Sequence, residues 1–179
     1  MAARTSMTLT PEVAFEQHRE RLLSVIYVRM GPDLRVRMDP EDVLQDVAIE
    51  AIRSWHTLSS PENAGPWLVT LAKRRVARIL RDQVGVAARD PSREHAMKTD
   101  LPVPDRRSGP VTHADRRDRL ELLAQALQRL SDDHREVIIL MRIEGLSARE
   151  VAERMDRTEN AVHLLLGRAL KRLAEELKL

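Results

Sequence analysis

The sequence predicts an all-α protein built from two small helical domains joined by a flexible linker, the C-terminal domain being a helix-turn-helix. Three observations favour this fold class. Aromatic residues make up only 2% of the 179 residues, so aliphatic side chains and methionine must form the core. Apolar residues recur at helical spacing along most of the chain, without a strand-like alternation. Prolines interrupt that spacing between residues 84 and 113.

The composition excludes several classes of protein. The chain has no cysteine, which rules out disulfides, thiol catalysis and thiolate metal sites. No apolar run is long enough for a signal peptide or a membrane span. A net charge of +2 does not by itself demand a nucleic-acid partner. We therefore expect a cytoplasmic protein that binds no cofactor, is not an enzyme and is monomeric when free.

The N-terminal domain is predicted over residues 11–83 and begins with two helices. Thr10 caps the first helix, which runs from Pro11 to Met30 and ends at the Gly-Pro pair that follows. Asp39 caps the second helix, with Pro40 in its first position. The apolar stripe of the second helix is predicted to contain Val43, Leu44, Val47, Ala48, Ala51, Ile52 and Trp55.

An acidic face is predicted on the second helix. Asp42, Gln45 and Asp46 are three and four residues apart and so share one exposed side. No histidine lies nearby at ligand spacing, which makes a catalytic or metal site a poor interpretation. The face is either solvated or a surface for a basic protein partner.

A basic face is predicted on the third helix, from Pro66 to Gln83. Its cations suit a phosphate backbone, although a solvated face is an equal alternative. Arg75 points toward the apolar side instead and is expected to pair with Asp42 or Asp46. Trp55 and Trp67 lie on apolar stripes and are interpreted as core residues. The predicted basic face consists of Lys73, Arg74, Arg78 and Arg81.

The C-terminal domain is predicted over residues 114–179. Ser147 and Glu150 form a capping box at the start of one short helix, and a three-residue turn leads to a second helix. This spacing is typical of a helix-turn-helix, although an ordinary helical hairpin is the alternative. The outward side chains of the second helix, which would read bases and phosphates, are Thr158, Glu159, Asn160, His163, Arg168, Lys171 and Arg172.

Taken together, these motifs resemble a bacterial RNA polymerase sigma factor of the extracytoplasmic-function group. The run DVLQDV, from Asp42 to Val47, looks like the family's polymerase-binding helix, which grips a coiled coil of the β′ subunit. The segment from Trp67 to Arg81 looks like the helix after the −10 recognition loop. Arg135–Val137 and Glu150–Ala152 look like parts of the −35-binding domain. The resemblance covers nearly the whole chain.

The resemblance implies a role and partners. The protein would lend promoter recognition to core RNA polymerase, with no enzymatic activity of its own. Ser59, Ser60 and Asn63 would contact an unstacked −10 base, the basic helix would hold promoter DNA, and the helix-turn-helix would bind the −35 element. An anti-sigma factor is a further candidate partner. The chain departs from the family where Leu164 and Leu165 replace polar residues, and these leucines either pack inside the domain or meet a partner.

Two other functions fit the residues alone. A stand-alone helix-turn-helix regulator would bind operator DNA as a dimer, with its N-terminal helices sensing or dimerising. A helical interaction module would bind protein without any role at DNA. A symmetric footprint would identify the first, and salt-independent protein binding would identify the second.

Overall fold

The computed structural model describes residues 9–87 and 113–178, and all regular structure in these ranges is helical. The chain divides into two compact units between Val86 and Ala87. The predicted all-α fold with two helical domains is therefore confirmed. Most of the predicted linker, residues 88–112, lies outside the described residues.

The N-terminal unit consists of three helices: α1 from Pro11 to Arg35, α2 from Pro40 to Ser54 and α3 from Ala64 to Ala87. Two short 3₁₀ turns, Trp55–Thr57 and Pro61–Asn63, lie between α2 and α3. The fully buried side chains come from all three helices, and each stabilises the fold by about 1.5–3 kcal/mol. The largest of them are Leu22, Val25, Ile26, Val43, Leu44, Val47, Leu68 and Val76.

Local signals set the starts of α1 and α2 as predicted. The side chain of Asp39 accepts a hydrogen bond from the backbone N–H of Glu41 at 2.9 Å. Gly31 has a φ of 68°, which breaks α1 where its end was predicted, but one more helical turn follows. Arg19 then ties α1 to α2 through an ion pair with Glu41, with 2.8 Å between Nη2 and Oε2.

The predicted ends of α3 were wrong on both sides. The helix starts at Ala64, because Pro66 then lies in the first turn, where its missing N–H has no helical partner to lose. It continues to Ala87, so residues 84–87 are helical. Gly85 alone costs a helix only about 1 kcal/mol, which is too little to end it.

Four α-helices of the C-terminal unit lie in residues 113–178. They are α4 from His113 to Gln128, α5 from Asp132 to Ile138, α6 from Ala148 to Met155 and α7 from Glu159 to Glu176. A wide π-helical turn, Ile139–Ile143, extends α5, and the N–H of Glu144 bonds to the carbonyl oxygen of Ile139 at 2.8 Å. The fully buried side chains in residues 113–178 include Leu127, Leu140, Val137, Val151, Val162 and Ala169.

The predicted helix-turn-helix is formed by α6 and α7. The capping box is present, because Ser147 Oγ accepts from the N–H of Glu150 and Glu150 Oε2 accepts from the N–H of Ser147 at 2.8 Å. Asp156 ends α6 in the left-handed conformation, with a φ of 51°. Arg157 fixes the turn to the start of α5 by an ion pair with Asp133.

Two properties of the described ranges bear on function. None of the helices in residues 9–87 and 113–178 is both long and apolar enough to cross a bilayer. Among the side chains that the structure describes, no three metal-ligating residues gather in one place.

Candidate protein-binding and DNA-binding surfaces

The outward side of α2 carries the three residues predicted to bind a protein. Asp42 and Gln45 are exposed on the side opposite the core. Asp46 lies at the margin of this side, and its side chain is 46% exposed. The structure therefore brings the three residues together on one accessible surface.

Asp46 is held in place by α3. Arg75 donates to Asp46 Oδ2 from Nη2 at 2.5 Å and from Nε at 3.2 Å. This confirms one of the two partners predicted for Arg75. Because both bonds converge on one carboxylate oxygen, the pair fixes the side-chain rotamer of Asp46 and ties α2 to α3.

Two isoleucines extend this surface, and the sequence analysis missed both. Ile49 is 48% exposed and Ile52 is 51% exposed. The assignment of Ile52 to the buried stripe was wrong, because it lies only about 20° around the helix axis from the exposed Gln45. The signal was present in the spacing, since Asp42, Gln45, Ile49 and Ile52 recur at intervals of three and four. We call Asp42, Gln45, Asp46, Ile49 and Ile52 the α2 surface.

The segment before α3 holds the three residues predicted to contact an unstacked base. Ser59 and Asn63 are exposed, and Asn63 Nδ2 lies 3.4 Å from Ser59 Oγ. Ser60 is half-buried at the start of the second 3₁₀ turn. The three residues therefore lie within one short loop, with Ser59 and Asn63 in mutual contact.

This loop is anchored at both ends. Trp55 and Trp67 pack edge to face with 5.8 Å between their ring centroids, and both are half-buried, so neither is a fully buried core residue. Gly65 packs against α1, where a Cβ atom would lie 3.0 Å from Cε1 of His18. Partial burial, and then the positive charge of Arg21, lower the pKa of His18 and so favour the neutral ring beside the loop.

The basic face of α3 is only partly available. Arg74, Arg78 and Arg81 are exposed on one side of the helix, and no described residue forms an ion pair or hydrogen bond with them. Lys73 is half-buried and interacts within the protein. Three of the four predicted cations thus remain accessible to a phosphate backbone.

The outward side of α7 carries the residues predicted for base and phosphate contacts. Glu159, Asn160 and His163 are exposed near its start, and Arg168 and Lys171 are exposed further along. We call these five residues, with Leu164, the α7 surface.

Two of the predicted α7 contacts have other roles in the structure. Thr158 caps the helix, because its Oγ1 accepts from the N–H of Ala161 at 3.2 Å. Arg172 pairs with Glu175 at 2.9 Å and with Glu176 at 3.0 Å. Both have structural partners that a contact with DNA would have to share.

Leu164 and Leu165 of α7 differ in how far they are exposed. Leu164 is 64% exposed, whereas Leu165 is half-buried. Of the two interpretations left open, packing within the domain is wrong for Leu164. Leu164 lies four residues after Asn160 and four before Arg168, and residues four apart share one side of a helix. It therefore faces outward with these two exposed residues.

Comparisons with known proteins assign both units to one family. The model of sigma-70 region 2 matches residues 14–85, and that of sigma-70 region 4 matches residues 120–173. The first match covers the three helices of the N-terminal unit, and the second covers the helix-turn-helix. The match to region 2 decides against a stand-alone operator-binding regulator.

Individual relatives agree with this assignment. The chain is 32% identical over 135 residues to the RNA polymerase sigma factor CarQ of Myxococcus xanthus, covering 75% of this chain and 72% of that protein. It is 34% identical over 147 residues to the RNA polymerase sigma factor SigK of Mycobacterium sp. (strain MCS), covering 79% and 72%.

A solved structure shows the same fold. It is the co-crystal structure of the sigma factor RpoE in complex with the anti-sigma factor NepR from Bartonella quintana, with a TM-score of 0.53 and 20% identity. The match covers 92% of this chain and 96% of that chain. The family is not enzymatic, as the sequence predicted. The chain belongs to the sigma-70 family of RNA polymerase sigma factors, in its extracytoplasmic-function group.

Proposed function

We propose that this sigma factor binds core RNA polymerase through the α2 surface and promoter DNA through α3, the loop before it and α7. The observation that carries the proposal is the opposite charge of two exposed surfaces within one unit. Asp42 and Asp46 lie on α2, whereas Arg74, Arg78 and Arg81 lie on α3. A single polyanion such as DNA is attracted to only one of them.

The α2 surface has the composition of a protein interface. Its exposed isoleucines supply apolar area that water does not favour, and the neighbouring carboxylates would steer and orient a cationic partner. Asp46 is pre-positioned by Arg75, so less side-chain entropy is lost on binding. A basic surface of the polymerase with an apolar centre is the expected counterpart.

The DNA contacts divide between the two units. In the N-terminal unit, the three arginines of α3 would bind phosphates, while Ser59, Ser60 and Asn63 would bond to the edge of a −10 base. In the C-terminal unit, the α7 surface would enter the major groove at the −35 element. On this proposal the domain spanning residues 11–83 opens the promoter and the domain spanning residues 114–179 anchors it.

The proposal implies further partners and a location. An anti-sigma factor that covers the α2 surface would compete directly with polymerase. Because the polymerase acts on chromosomal DNA, the protein would work in the bacterial cytoplasm, as a monomer until it joins the core enzyme.

The polymerase contact is tested with a charge change that leaves the Asp46–Arg75 pair intact. The variant Asp42→Arg/Gln45→Ala alters only exposed side chains. Its matched control, Asp33→Arg/Gln17→Ala, makes the same two changes at exposed positions of α1. We expect the first variant to bind purified core polymerase at least about tenfold more weakly, and the control to bind like the parent.

The outcomes separate the interface from the function. Equal binding by both variants and the parent would show that the α2 surface is not the contact. Equal weakening in both would point to net charge instead of a defined interface. If the parent itself did not bind core polymerase, the proposed role in initiation would be wrong.

A further inference from the structure

The most exposed apolar side chain of α7 lies in the middle of its polar surface. Leu164 is 64% exposed. Around the helix it lies about 40° from Asn160 and about 40° from Arg168, on the side opposite the buried Val162 and Ala169. It belongs to the first two turns of the second helix of the helix-turn-helix, the part that reaches base edges in such motifs.

The charges around Leu164 favour a nucleic-acid occupant over a protein one. Arg168 and Lys171 are exposed, and no ion pair or hydrogen bond joins either of them to the described residues. Glu159 and Asn160 are exposed one turn before the leucine. Arg168 and Lys171 match phosphates. Glu159 matches the amino group of cytosine, and Asn160 matches the edge of adenine.

The major groove displays one apolar group, the 5-methyl of thymine, and aliphatic side chains contact it. Leu164 is itself 64% exposed, and a Cβ atom added at the neighbouring surface position Gly167 would meet no atom of the described residues within 4 Å. The leucine is therefore free to approach a base edge without first displacing another residue.

We propose that Leu164 contacts the 5-methyl group of a thymine in the −35 element and so makes an A·T pair part of what this sigma factor recognises. The inference rests on the proposed binding of the −35 element by α7. It assigns sequence preference to a residue that makes no hydrogen bond.

The test removes the methyl group alone. Holoenzyme, made from core polymerase and the full chain, first selects upstream elements from a duplex library with a randomised −35 segment. Each thymine of the selected element is then replaced in turn by deoxyuridine, which lacks only the 5-methyl. We expect one replacement to weaken binding of the parent holoenzyme about fourfold, the effect of one lost apolar carbon.

Variants of the chain then identify the residue that touches the methyl. With Leu164→Ala, the same deoxyuridine should make no difference. With Leu164→Met, which keeps an apolar side chain of similar reach, the sensitivity should return. The matched control is Leu122→Ala on α4, another exposed leucine of the C-terminal unit, and it should keep the sensitivity of the parent.

Three results would overturn the inference while the proposed function stands. They are selected elements without a T·A pair, no effect of deoxyuridine at any position, and equal sensitivity in the parent and in Leu164→Ala. The proposed function fails differently, because holoenzyme would then not form or would select no upstream element at all. All variants are compared at concentrations that give the same amount of holoenzyme. A folding defect then appears as weaker binding to core polymerase, separately from any change in DNA recognition.

Discussion

The α2 surface and the α7 surface are built alike but carry opposite charge. On α2, Asp42 lies near two exposed isoleucines, Ile49 and Ile52, whereas on α7 the exposed Leu164 lies near cations such as Arg168. Charge acts over roughly 8–10 Å and so selects the class of partner, a basic protein or a phosphate backbone. Apolar burial requires direct contact between the two surfaces, and so it selects the individual partner within that class.

The two surfaces also differ in how many apolar side chains they expose. The α2 surface exposes two β-branched side chains about half-way, whereas the α7 surface exposes one leucine. Binding to the polymerase should therefore depend mainly on apolar burial. Binding of α7 to DNA should depend mainly on charge and vary with salt.

Removing the apolar part of the α2 surface is the largest expected effect. The variant Ile49→Ala/Ile52→Ala removes about 1 kcal/mol of burial at each position, so binding to core polymerase should weaken about thirtyfold. A titration of labelled protein with core polymerase, followed by fluorescence anisotropy, measures it. The thermal midpoint should fall only slightly, because about half of each side chain is already in water and alanine favours the helix more than isoleucine does.

A single control separates this surface from apolar surface in general. Val36 is 86% exposed at the end of α1, and Val36→Ala should leave core binding unchanged. A comparable loss in Val36→Ala, or no loss in the double variant, would contradict the assigned role of the isoleucines.

The second prediction concerns the cations. In Arg74→Ala/Arg78→Ala, promoter binding by holoenzyme should weaken about tenfold, and the slope of log affinity against log salt should fall by about 0.9 for each cation removed. Core binding should stay the same, because α2 is untouched. Filter binding across a salt series measures both quantities.

The same measurement on α7 completes the comparison. Arg168→Ala/Lys171→Ala should lower the salt slope similarly, whereas Arg117→Ala/Arg119→Ala on α4 removes equal charge from exposed positions and should not. An unchanged slope in the α3 variant would show that its arginines remain solvated when promoter DNA is bound.

Local signals in the sequence predicted more of the fold than of the surfaces. The Asp39 cap and the Ser147–Glu150 capping box depend on neighbouring residues and were predicted correctly, whereas Gly31 interrupts α1 without ending it. The side that a residue faces depends on residues distant in sequence. Ile52 was placed in the core because apolar residues usually are buried. Its spacing groups it with Gln45 and Ile49, and the packing of α1 and α3 shows that this group faces outward.

The functional residues show the same contrast between what local sequence predicts and what packing decides. The sequence predicted that Arg75 meets a carboxylate of α2 but left the choice between Asp42 and Asp46, which the packing of the helices decides. It also included Arg172 among the DNA contacts. The i+3 and i+4 carboxylates that engage this residue were visible in the spacing, but rotamers decide which ion pairs form.

A third prediction uses the Asp46–Arg75 pair, which has no counterpart on the α7 surface among the described residues. Arg75→Ala should weaken core binding a few-fold, because Asp46 loses its fixed rotamer. Arg75→Lys should restore part of the loss through a single bond. The thermal midpoint should fall by an amount equivalent to no more than about 1 kcal/mol, since the side chains are 29% and 46% exposed.

The readouts distinguish positioning from general stability. If Arg75→Ala lowers the midpoint but leaves core binding intact, the pair only stabilises the unit. If Arg75→Lys binds as poorly as Arg75→Ala, the guanidinium geometry itself is required.

The smallest expected effect tests how the helix-turn-helix is held. Hydrogen bonds from the Ser147 hydroxyl and backbone lower the pKa of Glu150 below its ordinary value. The ionised carboxylate therefore adds stability above that ordinary pKa, and the contribution disappears as the pH falls through the lowered one. Glu150→Ala should cost about 1 kcal/mol at neutral pH, as the loss of a helix cap does, and almost nothing in strong acid.

The chain offers an internal control for that last measurement. Both tryptophans, Trp55 and Trp67, belong to the N-terminal unit, so their fluorescence reports its unfolding, whereas circular dichroism at 222 nm reports the helices of both units. Glu150→Ala should shift the circular-dichroism transition at neutral pH and leave the fluorescence transition in place. A shift in both would mean that the two units unfold together, and their surfaces could then not be altered independently. A shift that persisted at low pH would mean that packing of the Glu150 side chain, and not its charge, supports α6.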